Sequence, residues 1–269
     1  MDRLGLIAGG GRLPLIVARE AARKGHKLFT VIISSDQGKE LSLLSEAMFN
    51  AQVGELTTII SFFKKRRVKK SVMVGMLAHD EVFKATSFDP RLSSFLEGLD
   101  DRRADTLLKG VIALIEQEGI SVIEYLPFVR SYLAPRGVLT RRFPSPHEMA
   151  DVELGYKLAK EIARLDIGQT VMVKNGVVVA IEALEGTDRM IVRGGKLAGA
   201  SGVVVKVSKP EQDYRFDIPV VGEDTILSLK GAKASVLAIE ADNTIIIDKE
   251  RVVLLANEVE LSIVSLAKL

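Results

Sequence analysis

Leu4-Gly5-Leu6-Ile7-Ala8-Gly9-Gly10-Gly11-Arg12-Leu13-Pro14-Leu15-Ile16 opens the chain, and its reading sets the fold of the first half. Residues 4–8 form an apolar run of buried-strand length, and three consecutive glycines then turn the chain. From residue 13 the apolar positions Leu15, Ile16, Ala18 and Ala22 follow a helical period, with Pro14 tolerated in the first turn. Gly25 ends that helix, and residues 27–33 return as a strand. The same alternation continues downstream. A helix is expected at 56–65, a strand at 71–77, a helix at 104–118 closed by Gly119, and a strand at 120–125. Strands alternating with helices imply a Rossmann-like, doubly wound parallel sheet.

Between residues 127 and 146 the pattern breaks, with Pro127, Pro135, Gly137, Pro144 and Pro146 close together. The division expected is a nucleotide-binding domain over 1–133, a linker over 134–146 and a second domain over 147–269. In that second domain, residues 147–165 read as one helix. Residues 170–174 and 177–183 flank Asn175-Gly176, a pair suited to a type I′ hairpin turn. Further strands are expected at 203–207, 235–240 and 244–248, with helices at 187–193 and 224–229. The second half is therefore a mixed α/β domain.

Composition excludes several classes of function. The chain has 269 residues, enough for two modest cores, and a net charge of only +2. It has no cysteine, so disulfides and thiolate metal sites are ruled out. Its three histidines, His26, His79 and His147, are far apart in sequence, so a metal would be a hard cation held by carboxylates. No signal-peptide pattern opens the chain and no apolar run reaches membrane-spanning length, so a cytoplasmic protein is expected.

The glycine turn carries the first chemical signal. Glycines let a phosphate approach the backbone, and the helix that follows offers N–H groups and a positive dipole end. A tight turn that binds nothing is the competing reading. The dinucleotide fingerprint is incomplete, because Pro14 stands at the third glycine position and Ile32-Ile33-Ser34-Ser35 occupies the place of a ribose-binding carboxylate. Asp36 lies just beyond. A nucleotide is favoured over NAD.

The run Lys64-Lys65-Arg66-Arg67-Val68-Lys69-Lys70 precedes a strand and so lies at its N-terminal edge, away from the carboxyl ends where α/β sheets bind ligands. It reads as a solvated helix end, with contact to anionic lipid as the alternative. Few aromatics accompany it, and nucleic acid is not expected as a partner.

Two acidic stretches follow in the second half. In Glu182-Ala183-Leu184-Glu185-Gly186-Thr187-Asp188, Glu185 and Asp188 are expected to converge, with N-capping by Thr187 or Asp188 as the structural alternative. In Gln212-Asp213-Tyr214-Arg215-Phe216-Asp217-Ile218-Pro219, strand alternation would place Asp213, Arg215 and Asp217 on one face. That is a salt-bridged edge strand. It also supplies oxygen ligands for a divalent cation and a cation for developing phosphate charge.

The opening block through Pro14, the stretch Leu165-Asp166-Ile167-Gly168-Gln169-Thr170-Val171, the stretch from Glu182 to Asp188, and that from Lys209 to Pro219 together resemble UDP-2,3-diacylglucosamine pyrophosphatases of the LpxI type. They occur in the same order and span most of the chain. The resemblance implies hydrolysis of UDP-2,3-diacylglucosamine to 2,3-diacylglucosamine 1-phosphate and UMP, in lipid A biosynthesis, with Mg²⁺ or Mn²⁺ as cofactor. It implies an N-terminal UDP-binding domain, a C-terminal domain and a cleft between them, with Asp217 as the essential aspartate; Arg215 beside it is read as the catalytic cation, and Gly9, Gly10, Gly11, Arg12 and Gly75 as holding UDP. It also implies that Gln169 and Thr187 contact the sugar phosphate, with Asp217, Glu185 and Asp188 as metal ligands. The implied partner is a nucleotide-sugar lipid; a homodimer and peripheral contact with the inner membrane stay open. One departure from the family pattern is Glu240-Ala241-Asp242-Asn243, which lacks a glycine after Glu-Ala. Two rival functions remain: a nicotinamide-dependent reductase on the same glycine turn, and a non-enzymatic nucleotide-sugar sensor.

Overall fold

The computed structural model describes residues 2–34, 37–76, 88–99, 101 and 103–267. Asp36, Leu77 and His79 lie outside these. The chain divides into two compact units. One comprises Met1–Arg130 with Tyr214–Asp217, and the other Ser131–Asp213 with Ile218–Leu269.

In the first unit β1 (Arg3–Ala8), β2 (Lys27–Ile32), β3 (Ser45–Asn50), β4 (Lys70–Val74) and β5 (Ser121–Val122) form one parallel sheet of order β3-β2-β1-β4-β5. The chain runs outward from β1 to β3 and then returns to β4 on the other side of β1. This is the Rossmann-like topology expected from the glycine-turn opening. The helices are α1 (Leu13–Arg23), α2 (Gly38–Leu44), α3 (Leu56–Lys65), α4 (Pro90–Glu97), α5 (Ala104–Glu116) and α6 (Leu126–Val129). Helix α3 buries Leu56, Ile59, Ile60, Phe62 and Phe63, a spacing that gives one apolar stripe. These join Val31, Ile112, Ile115 and Phe216 in a common core. The strand expected at 120–125 is reduced to Ser121–Val122, because Pro127 sits within a short helix that begins at Leu126.

The second unit contains β6 (Gly137–Val138), α7 (Pro146–Arg164), β7 (Thr170–Lys174), β8 (Val177–Ile181), α8 (Thr187–Ala198), β9 (Val203–Lys206), β10 (Val220–Val221), α9 (Glu223–Gly231), β11 (Val236–Glu240), β12 (Ile245–Ile246), α10 (Lys249–Glu258) and β13 (Ser262–Leu266). Six strands form a mixed sheet of order β6-β13-β11-β9-β7-β8, with β9, β11 and β13 parallel. Residues 134–146 contribute to it, since Gly137 and Val138 pair with β13. Each central strand is apolar on both sides. Val203, Val205 and Val207 pack with Tyr156 and Ala159 of α7, while Val204 packs with Met190 and Ile191 of α8. Gly155 lets α7 approach closely, since a Cβ there would lie 2.6 Å from Val205.

The hairpin β7–β8 turns through Asn175 and Gly176, both at positive φ as a type I′ turn requires. Asp151 of α7, itself buried, accepts hydrogen bonds from the Asn175 amide at 2.8 Å and the Gly176 amide at 2.6 Å. The turn is therefore tied to the helix.

A buried charge network closes the carboxyl end of β11. Glu240 has 0% exposure and accepts from the Tyr156 hydroxyl at 2.6 Å, the Lys160 ammonium at 2.8 Å and the Ser208 amide at 2.7 Å, as well as from the Ser208 hydroxyl. Burial pushes the Glu240 carboxyl upward, and the bonds from Lys160, Ser208 and Tyr156 more than offset it, leaving the pKa below the usual glutamate value. A depressed carboxylate contributes stability above its unfolded pKa, and that stability is lost as pH falls through the folded value. Glu240→Gln should therefore destabilise the second unit by about 3 kcal/mol near pH 7, the lower end for breaking a buried pair. The gap from wild type should narrow as pH falls below the ordinary glutamate range and Glu240 is protonated. Denaturant melts across that range test this, and a gap independent of pH would mean that packing, not charge, is what Glu240 supplies.

Candidate functional site

Strand order reverses around β1 and β4, so their carboxyl ends form a topological switch point, where open α/β sheets leave a crevice for ligands. Gly9, Gly10, Gly11 and Arg12 leave β1 at that point, and Gly75 leaves β4. The structure thus brings the expected nucleotide residues together, but the glycines have distinct jobs. The Gly9 amide donates to Val74 O at 2.8 Å and the Gly10 amide to Met76 O at 2.7 Å, so both are engaged with the end of β4. A Cβ on Gly9 would lie 2.8 Å from the Met76 carbonyl, and one on Gly75, at φ +102°, would lie 2.8 Å from Gly10 O. Gly11 is different: its φ is +80° and a Cβ there would meet nothing within 4 Å. Of these glycines, Gly11 is therefore the one whose Cβ position faces open space.

In the second unit Thr170, Glu182, Lys206, Ser208 and Glu240 are buried at the end of the sheet where β7 begins and β8, β9 and β11 end, while Asp151, Thr140 and Ser262 are buried toward the other end. Glu182, just after β8, accepts from the Thr187 hydroxyl at 2.8 Å and from the Gln169 amide at 3.2 Å. Lys206, the last residue of β9, donates to the Thr187 hydroxyl at 2.7 Å. The expected sugar-phosphate residues Gln169 and Thr187 are thus neighbours, joined through Glu182. Two side-chain oxygens in this group, Gln169 Oε1 and Asp188 Oδ1, are buried with no hydrogen-bond partner. A buried acceptor left unmatched is costly unless a ligand supplies the donor or cation.

Asp188 carries the electrostatic signature. Burial raises its pKa above the usual aspartate value; Lys206 and Thr225 pull it back, while Asp224 and Glu182 push it further up. A carboxyl raised by desolvation beside a charged partner is a candidate functional group.

Glu185 does not join it. Its carboxylate is 2.5 Å from the Arg193 guanidinium, which holds its pKa below the usual range, and it also accepts from the Ala183 amide. The acidic neighbours of Asp188 are therefore Asp224 and Glu182 rather than Glu185, and Gly186, at φ +81°, turns the chain between residues 185 and 187. Among the described residues no group of three His, Asp or Glu side chains is arranged to hold a metal ion.

Arg215 and Asp217 also differ from expectation. Residues 214–216 form a turn rather than the expected strand, and Asp217 adopts φ +53°. Burial alternates only over residues 216–218, where Phe216 and Ile218 are each 4% exposed and Asp217 between them is exposed, while Asp213, Tyr214 and Arg215 are all half-buried. Phe216 packs in the core of the first unit, and Arg215 lies 3.9 Å from Glu116 there. Sequence reading passed over Lys206 and Thr225. Lys206 had a usable signal, a lone charge ending an otherwise all-valine strand.

Family models account for both halves. That of the LpxI N-terminal domain matches residues 3–132, and that of the LpxI C-terminal domain matches residues 135–264. The chain belongs to the LpxI family. A protein of Caulobacter vibrioides named UDP-2,3-diacylglucosamine pyrophosphatase LpxI is 31% identical over 97% of this chain and 96% of its own length. Among solved structures, an ADP complex of N5-carboxyaminoimidazole ribonucleotide synthetase is 14% identical, covering 76% of this chain and 46% of that one. Its TM-score of 0.30 is too low for the likeness to bear on fold or function.

A carboxyl with a raised folded pKa contributes stability below its unfolded value, and that stability is lost as pH rises through the folded one. In metal-free protein Asp188→Asn should therefore raise the denaturation midpoint near pH 7, and the gain should vanish near pH 3, where both states are protonated, to within about 1 °C. Thermal melts at the two pH values decide it. A lowered midpoint near neutrality would show that the Asp188 carboxylate holds the fold rather than awaiting a ligand.

Proposed function

We propose that this chain is a hydrolase that cleaves the pyrophosphate of UDP-2,3-diacylglucosamine, releasing UMP and 2,3-diacylglucosamine 1-phosphate in lipid A synthesis. What carries the reading is family membership over both halves, including a relative of that name aligned along 97% of the chain. The local chemistry supports it. The switch-point crevice beyond Gly11 offers backbone and a helix N-terminus to a phosphate, and the cluster around Thr187 offers hydroxyl, ammonium and carboxylate groups to a sugar phosphate.

UDP is assigned to the turn from Gly9 to Arg12 with Gly75, and the sugar phosphate to Gln169 and Thr187. Lys206, linked to Glu182 by two hydrogen bonds through the Thr187 hydroxyl, is added as a charge for a phosphate oxygen. Asp217 is assigned to orient the attacking water and Arg215 to neutralise charge that develops on phosphate. Because Asp217 is exposed and flanked by buried Phe216 and Ile218, its carboxylate is presented by anchored neighbours.

A Mg²⁺ ion, or Mn²⁺ in its place, fits Asp188, whose buried oxygen lacks a partner, better than Glu185, which Arg193 occupies. Mg²⁺ is commonly held by one or two carboxylates together with substrate phosphates and water, so a cage of three protein ligands is not required. Bound there, it would supply positive charge to the pyrophosphate oxygens.

The glycine assignments predict a split. Gly9→Ala drives a Cβ into the Met76 backbone and should lower stability before it affects ligand binding. Gly11→Ala points into open space; it should cost about 1–2 kcal/mol for its left-handed backbone yet fold, and should weaken UDP binding at least about ten-fold. Calorimetric titration with UDP on both variants reads this, and unchanged affinity in a folded Gly11→Ala protein would place UDP elsewhere.

Asp217→Asn is the sharper test, because Asn tolerates a left-handed backbone and keeps the side chain's shape. The variant should melt like wild type and bind UDP normally, while UMP release falls at least about 100-fold. Wild-type activity should be abolished in excess EDTA and restored by Mg²⁺. A fully active Asp217→Asn protein, or full activity in EDTA, would remove the corresponding role; the reductase and sensor readings predict no UMP release at all.

A further inference from the structure

Helix α8 turns one face inward, burying Met190, Ile191, Gly194 and Gly195. Its opposite face carries Arg189, Val192, Arg193 and Lys196 at spacing i, i+3, i+4, i+7, a single outward stripe. Arg193 donates to Ile181 O at 2.8 Å and is paired with Glu185, which joins that stripe to the end of β8 and to Leu184. The resulting surface is apolar as well as cationic. Leu184 is 62% exposed, Val192 45% and Ile181 42%. Among the described residues, no acidic side chain pairs with Arg189 or Lys196. The N-terminus of the same helix is Thr187, inside the polar cluster described above.

We infer that this face of α8, with Ile181 and Leu184, docks on an anionic phospholipid surface. Cations attract the negatively charged headgroups, each by about 1 kcal/mol near the surface, and exposed aliphatic side chains enter the acyl boundary. Neither feature alone selects a bilayer, but here they interleave on one helix face. The more basic run from Lys64 to Lys70 lacks the second feature, since its one aliphatic residue, Val68, is buried. It also lies where β4 begins, at the opposite end of that sheet from the glycine turn. The inference rests on the proposed activity in one respect: a diacylated substrate resides in a membrane, and this surface places the Thr187 cluster beside its source.

Co-sedimentation of the full chain with lipid vesicles tests docking without any turnover, so it stands or falls separately from the hydrolase reading. Wild type should partition onto vesicles of phosphatidylcholine with phosphatidylglycerol, far less onto phosphatidylcholine alone, and release as salt is raised. Arg189→Glu combined with Lys196→Glu should reduce partition at least about ten-fold, Leu184→Glu similarly, with unaltered circular dichroism. Lys65→Glu combined with Lys69→Glu should leave it unchanged. Absence of wild-type binding, or loss confined to the Lys65 and Lys69 variant, overturns the proposal. So does a wild-type dimer, seen by sedimentation, that Leu184→Glu converts to monomer, since the face would then be covered by a second copy. With a dispersed short-chain substrate the α8 variants should turn over as wild type; a loss there with vesicle binding intact would make the patch an acyl-chain site instead.

Discussion

Parallel strands end together. Each must hand its chain to a connection that no longer has ladder partners, and the backbone and side-chain groups at that edge must find others. In both units this constraint decides where polar chemistry collects. In the first, the carboxyl ends of β1 and β4 are joined by hydrogen bonds from Gly9 and Gly10, with Gly75 supplying clearance. In the second, the ends of β9 and β11 are closed by charged side chains, Lys206 toward Thr187 and Glu240 toward Ser208. The apolar sheets beneath could hold many arrangements at their rims; these contacts select one.

The two rims solve the problem differently, and the difference bears on function. The Glu240 network is closed: its acceptor oxygens receive four hydrogen bonds, from Tyr156, Lys160 and Ser208. Such a network rigidifies the strand end and offers little to a ligand. The Thr187 cluster is not closed. It leaves Asp188 Oδ1 and Gln169 Oε1 buried and unmatched a few residues away, beside an ammonium and two hydroxyls. Unmatched buried acceptors of this kind are what a ligand would complete, as the proposed sugar-phosphate site requires.

Periodicity made most of the architecture legible. The glycine turn between a buried strand and a helix gave the Rossmann-like half, the helix at 56–65 has the bounds its apolar stripe suggests, and Asn175-Gly176 marked its hairpin. What escaped notice has physical reasons. β3 is an edge strand of alternating half-buried and exposed residues, Ser45 to Asn50, with no apolar run to announce it. α10 and β13 were passed over although both bury aliphatic residues, so there the omission lay in the reading. The site was less legible than the fold. Which carboxylate lies near Asp188 depends on how Gly186 turns the chain, and Glu185's capture by Arg193 depends on α8 folding back over β8. The extended reading of residues 212–219 failed because Phe216 anchors in a core assembled by residues 80 or more positions away. Neither fact is written in local spacing.

That anchor separates the inherited halves of this sequence from its folded bodies. The N-terminal family match ends at residue 132, yet the first unit includes Tyr214–Asp217, and Phe216 sits 4% exposed among Ile112, Ile115 and Phe63. A gene fragment cut at the family boundary would encode a core with an aromatic side chain missing, a void that is worth several kcal/mol when Phe is removed from a packed interior. Recombining halves of distant relatives at that boundary would likewise set one parent's Phe216 segment into the other parent's core. The packing of the first unit's core therefore depends on a segment that the N-terminal family match does not include.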